Sequence, residues 1–170
     1  MSNNSLSLES CISEGKRVED MFENALSIRG KFFRRASKEE QFKHIDFFVL
    51  NPLNNNCASI DVKSTKKIKR SDNHSNSEYI WVEFKNVQGN DGWLYGSADY
   101  VAFYVESANS FFIVMNKDLR EKCENLCKEG IAYNSEDALY KHYTRIGRKD
   151  DISLIKLIDI KDIVKAVYEC

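Results

Sequence analysis

The run Ser59-Ile60-Asp61-Val62-Lys63-Ser64-Thr65-Lys66-Lys67 constrains the fold most. It is rich in β-formers and alternates apolar with charged residues. As a strand it sends Ile60 and Val62 to one face and Asp61 and Lys63 to the other. The first face suits a core. The second places a carboxylate beside an ammonium. Upstream lies another acid, Asp46, within the apolar run Ile45-Asp46-Phe47-Phe48-Val49-Leu50. A carboxylate among consecutive apolar residues either protrudes at an edge or is held by a partner.

These two runs are expected to pair as a hairpin of strands His44 to Leu50 and Ala58 to Ile68. Pro52 and the asparagines after it supply the turn. Upstream, Val18, Met21, Phe22, Ala25 and Ile28 recur at helical spacing, which predicts a helix near residues 14–29. Ser13 suits its start and Gly30 its end. Residues 1–12 are polar and Ser/Asn-rich and are expected to be loose. Lys31 to Arg35 reads as a short strand or a bend. Downstream, strands are expected at Tyr79 to Val87, Tyr100 to Val105 and Phe111 to Met115. A helix then spans Asn116 to Gly130, capped by Asn116 or Asp118. A short helix near residues 135–146, a late strand Ile152 to Ile160 and a closing helical turn Ile163 to Tyr168 complete the reading. This order gives one α/β (α+β) domain over residues 13–170, with a central mixed sheet flanked by helices.

A chain of 170 residues can bury a real core. Its net charge of −1 excludes a globally basic nucleic-acid binder, so attraction to phosphate must be local. Five cysteines, an odd number, with no secretory leader, read as free thiols in a reducing, intracellular, cytoplasmic setting. Cys123 and Cys127 share a helix face, but His44, His74 and His142 show no ligand spacing, so buried thiols are expected rather than zinc. No apolar run is long enough for a membrane span.

Gly15-Lys16-Arg17-Val18-Glu19 on the first helix, Asp46 on the next long strand, and Ile60-Asp61-Val62-Lys63-Ser64-Thr65-Lys66-Lys67 together resemble the PD-(D/E)XK nuclease superfamily, and within it the Holliday-junction resolvases. The likeness covers roughly residues 15–70, with a matching strand order through residue 115. It implies a restriction-endonuclease-like sheet and a Mg²⁺ (or Mn²⁺)-dependent endonuclease acting on DNA, including branched DNA. By that resemblance Glu19, Asp46 and Asp61 bind metal, the Val62 carbonyl adds a ligand, and Lys63 positions and activates the attacking water. A homodimer is also implied. Abundant Asn, Lys and Ile suit a viral or mobile-element gene.

The residue types support that chemistry independently. Mg²⁺ takes hard oxygen ligands and keeps some of its waters. Carboxylates from two neighbouring strands can converge on one ion, and Lys63 adds a point charge near a scissile phosphate. The sequence departs from the pattern at two points: Ile45 stands where the name-giving proline would be, and Asp61 is shorter than the more frequent glutamate. A second triplet, Glu83-Phe84-Lys85, leaves two alternatives open. Glu83 is either a further metal ligand or the principal acid, with Asp61 in support.

Lys63, Lys66, Lys67, Lys69 and Arg70, with Arg34 and Arg35 upstream, are candidates for holding a DNA backbone, as is His44, which is expected to share a strand face with Asp46. The same lysines would also serve on a solvated edge strand. Trp81, Trp93, Tyr79 and Tyr95 are expected mainly in the core. The alternative to an enzyme is a catalytically silent nuclease-fold protein that binds nucleic acid or a protein partner.

Overall fold

The computed structural model describes residues 3–51, 53–69, 71–128 and 130–170. Helix α1 spans Asn3–Ile28. It starts well before the expected position, so Ser13 lies inside the helix rather than at its cap. Val18, Phe22, Ala25 and Leu26 bury its inner stripe completely, whereas Ile28, expected inside, is exposed. Gly30, at φ +61°, ends the helix as anticipated.

A short strand β1 (Phe32–Arg35) and a single helical turn α2 (Lys38–Gln41), closed by a Ser37–Glu40 capping box, lead into β2 (Phe47–Asn51). The hairpin partner is β3 (Asn56–Ser64), paired antiparallel with Phe47 opposite Ile60. Next come β4 (Tyr79–Lys85), a 3-10 turn at Trp93–Tyr95, β5 (Tyr100–Val105), β6 (Ser110–Met115) and α3 (Asn116–Leu126). Two-residue strands β7 (Ile131–Ala132) and β8 (His142–Tyr143) precede β9 (Asp151–Lys156), a 3-10 stretch Leu157–Ile163 and β10 (Val164–Glu169).

The strands form two sheets. The larger is mixed, in the order β1-β2-β3-β5-β6-β10, with β3 and β5 parallel. The smaller runs β4-β9-β8-β7. The alternation of β3 places the layers. Ile60 and Val62 join α1 and Phe47, Ala102 and Phe111 in one core. The opposite face of the large sheet, through Val101, Phe103 and Val114, packs against β4, the Trp93 turn and α3 in a second core. Asp61 and Lys63 therefore point between the two sheets rather than into solvent.

Three expected elements differ. Ile163 to Tyr168 is not a helical turn but strand β10, on the edge beside β6. Its inward residues Val164, Ala166 and Tyr168 alternate at period two. Residues 135–146 hold no α-helix: Tyr140 adopts φ +58°, and the chain bridges at Leu139 to Leu154 instead. Helix α3 has no side-chain cap; its N-cap position is Met115, and the Asn116 amide donates to the Ala98 carbonyl at 3.2 Å. Cys123 and Cys127 are buried free thiols, and burial raises both pKa values. No helix among the described residues is long and apolar enough to cross a membrane.

The 3-10 turn closes on β4 at Gly92. A Cβ there would lie 2.2 Å from the Glu83 carbonyl oxygen, a backbone atom that cannot swing aside. Gly92→Ala is thus expected to destabilise the fold by about 1–3 kcal/mol. Urea denaturation reads this directly, and an unchanged midpoint would contradict the close approach.

Candidate functional site

Asp46 sits one residue before β2. Its backbone N–H donates to the Ile60 carbonyl at 2.9 Å, and its own carbonyl accepts from Ala36 at 2.8 Å. Its carboxylate accepts the Val62 N–H at 2.7 Å. The acid thus fills the place in the ladder that β2 has not yet reached. The N–H and C=O of one strand residue point to the same side, so the Val62 carbonyl faces this same opening.

Asp61 is 2% exposed, which excludes the simple reading of a solvated ion pair. One carboxylate oxygen, Oδ1, accepts from Lys63 Nζ at 2.6 Å. The other, Oδ2, is buried with no hydrogen-bond partner. Burial first, then the neighbouring charge of Asp46, pushes the Asp61 carboxyl up to about 7 against the pull of Lys63. Asp46 stands close enough to share a proton with it. With both carboxylates ionised, no donor lies between them. What the pair lacks is a proton or a cation.

Lys63 follows on the same strand face, with its ammonium 5.4 Å from the centre of the Trp93 ring. Burial would lower its pKa, but Asp61, Asp46 and Glu83 outweigh burial and hold the ammonium above its ordinary range. Trp93, itself buried, packs edge-on against Phe103 from β5. The aromatic platform under Lys63 is thus fixed by both sheets.

Glu19 reaches the cluster from α1. Burial and then Asp46 raise its pKa, while Arg35 and Lys63 oppose the rise. Glu83 enters from β4, on the smaller sheet, so it is not on a ladder neighbour of β3. Burial raises its pKa, opposed by the Trp93 backbone N–H and by Lys63, Lys66 and Arg145. His44 lies in the turn before β2 with φ +59°, so it does not share a strand face with Asp46 as expected. It is still within electrostatic reach. Burial and then Lys63 lower its pKa, against Asp46.

The basic residues expected to hold DNA divide into separate groups. Arg34 is bidentate on Glu40 at 2.8 Å and lies over the Phe48 ring. Arg35 is committed to Asp20, Glu23 and Glu19. Both are therefore engaged inside the chain rather than presented as open phosphate contacts. Lys69 pairs with Glu136, and Trp81 donates to the Lys67 carbonyl at 3.1 Å. Lys66 faces Glu83. Arg70 lies outside the described residues. Asp99 accepts from Ser59 N and Oγ at 2.8 Å and pins β3 to the start of β5.

Sequence reasoning did not find two residues. Arg145, paired with Asp150, lies within electrostatic reach of Glu83 from a loop far along the chain, and nothing local signals that approach. Arg35 steadies Glu19, whereas the sequence showed only its membership of a basic cluster. Among the described residues, no three His, Cys, Asp or Glu side chains are gathered tightly enough to hold a metal ion by themselves.

No family model matches the chain. No curated protein matches it either. Among solved structures it is similar to a bacterial homing endonuclease, I-Ssp6803I, at 15% identity, over 63% of this chain and 70% of that chain, with a TM-score of 0.41.

Proposed function

We propose that the chain is a divalent-metal-dependent nuclease that hydrolyses DNA phosphodiester bonds, with Asp46, Asp61 and Lys63 at its centre. One observation carries this reading: the buried, unpartnered Asp61 Oδ2 beside the Asp46 carboxylate and under a lysine held in its charged form. A buried carboxylate oxygen with no donor costs stability, so Oδ2 points to a partner supplied from outside the chain. Mg²⁺ or Mn²⁺ suits the donors present, because such ions accept one or two carboxylates and complete their shell with water. Asp46, Asp61 and the Val62 carbonyl would hold the ion, with Glu19 and Glu83 as the further acids. When bound, the ion would acidify a water and offset charge on the phosphate.

The side chains of the chain do the remaining work. Asp46 orients the β3 edge through Val62. Lys63 presents a fixed positive charge where negative charge develops on the scissile phosphate, and the Trp93 face limits how far it can swing. His44, neutral at physiological pH by its lowered pKa, is a hydrogen-bonding contact for a phosphate oxygen. Lys66 and Lys67, exposed on the loop after β3, would hold the flanking backbone.

Incubation with duplex, branched and single-stranded DNA, with Mg²⁺ or Mn²⁺ and then with chelator, tests the reading. Cleavage of at least one substrate, abolished by chelator, is expected. A thermal-unfolding midpoint that rises with Mn²⁺ is expected in parallel, because a ligand of the native state stabilises by mass action. No cleavage and no metal-dependent shift would overturn it.

One observation favours a second reading, a catalytically silent nuclease-fold binder. Glu19, the helix acid, is already in an ion pair with Arg35 at 3.4 Å. In that case neither ion would change stability or binding.

A further inference from the structure

A concave groove of about 1,120 Å³ opens at the end of the large sheet where β2 finishes and β5 begins. Arg29 and Lys31 stand on one side of it, after α1, and Lys117 and Arg120 on the other, at the start of α3. The one acid in its lining, Asp99, is spent on Ser59. Arg29 and Arg120 are braced rather than neutralised. Arg29 donates to the Ala25 carbonyl at 2.9 Å and lies over the Tyr168 ring. Arg120 donates to the Leu94 carbonyl at 3.3 Å and lies over the Tyr95 ring. Lys31 and Lys117 make no ion pair among the described residues.

Phe32, in the same lining and next to Lys31 in sequence, is 62% exposed, an apolar ring presented to solvent. The chain as a whole carries a net charge of −1, so four cations facing one free hollow is a local concentration of charge. A positive groove with an open aromatic face matches one polymer in particular: phosphates lie along the cations and bases stack on the ring. Stacking on an open ring needs unpaired bases, which a single strand offers and a duplex does not.

We propose that this groove binds a single-stranded nucleic-acid segment. Ala58 in the groove lining and Asp61 in the cluster are on the same strand, about 10 Å apart at the strand rise. The two sites share β3, but Ala58 and Asp61 point to opposite faces of the sheet and the strand between them is buried, so the groove is a separate site at the sheet's end. It depends on the nuclease reading above only for its purpose, not for the binding itself.

The test is fluorescence anisotropy of the whole chain in chelator, so that no cutting occurs, with a labelled oligothymidylate and a matched duplex as probes. The Lys31→Glu/Lys117→Glu pair is expected to weaken single-strand binding at least about ten-fold at low salt. It should also flatten the slope of log affinity against log salt by about 1.4, two phosphate contacts at roughly 0.7 each. Phe32→Ala is expected to weaken it about five-fold or more, the loss of one stacked base. Circular dichroism confirms that the variants fold, since all three side chains are at the surface. Unchanged affinity and slope in these variants would overturn the proposal, as would equal losses for duplex and single strand. The two readings can fail separately. A wild-type chain that never cuts, but whose groove variants lose the oligothymidylate, leaves the groove standing. A chain that cuts, with groove variants binding as wild type, removes the groove alone.

Discussion

Lys63→Met should reduce metal-dependent cleavage by about a hundred-fold or more, the usual consequence of removing one preorganised charge from a developing oxyanion. The reasoning starts from position. Lys63 Nζ is tied to Asp61 at 2.6 Å and backed by the Trp93 ring, so its charge is held at the site before substrate arrives. Methionine keeps the length of the stem and its packing on Trp93, but not the charge. Lys63→Arg should not restore activity. Its planar fork is larger and distributes charge over several donors, where Lys63 holds a compact ammonium at 2.6 Å from Asp61. A readout that a purely structural role would not move is the Mn²⁺-induced thermal shift. The two carboxylates remain in Lys63→Met, so the shift should persist while the rate collapses. A variant that cuts within ten-fold of wild type would remove Lys63 from the chemistry.

That outcome depends on a feature that local patterning makes visible. Period-two alternation put Asp61 and Lys63 on one face, and the apolar surroundings of Asp46 marked it as a held acid. Both follow from neighbours in sequence, and the antiparallel β2–β3 pairing then brings them together. What covers that face was not legible. Glu83 and the Trp93 turn arrive from the smaller sheet, whose main pairing, β4 with β9, joins segments far apart in the chain. The strand Val164–Glu169 was misread for the same reason. Six residues fit either periodicity, and only the distant β6 edge decides between them. The basic clusters show the limit of counting charges. Arg34 and Arg35 look like phosphate contacts in sequence, yet helix acids on α1 and the capping-box glutamate claim them. Lys31, from the same basic group as Arg34 and Arg35, and Lys117, next to an acid in sequence, are the ones that line an open groove.

Without metal, the Asp61 carboxyl is expected to make folding less favourable as pH rises from about 4 to 7, contributing at most about 1.4 kcal/mol per pH unit, and Glu19 and Glu83, which burial also raises, add to the loss. The sign follows from Asp61, whose carboxyl is raised from an ordinary 3.8 to about 7 by burial and then by Asp46. Between those values the folded chain holds a proton that the unfolded chain has released, so folding is favoured on the acid side. Below the window both states are protonated and there is no cost; above it the cost is complete. Lys63 stays charged in both states throughout the window and adds no slope. Mg²⁺ competes with that proton for the same carboxylates, so its stabilising effect should be small at the acid end and grow toward pH 8. Asp46→Asn separates the contributions. The amide oxygen still accepts the Val62 N–H, while the repulsion on Asp61 disappears, so the pH slope should flatten in the metal-free protein. At the same time one of the two anionic donors is lost, so the Mg²⁺ shift and the cleavage rate should both fall sharply. Thermal unfolding across pH, with and without Mg²⁺, measures all of this in one series. A flat wild-type profile, or an Asp46→Asn slope identical to wild type, would mean that the two acids do not share the charge that makes a cation necessary there.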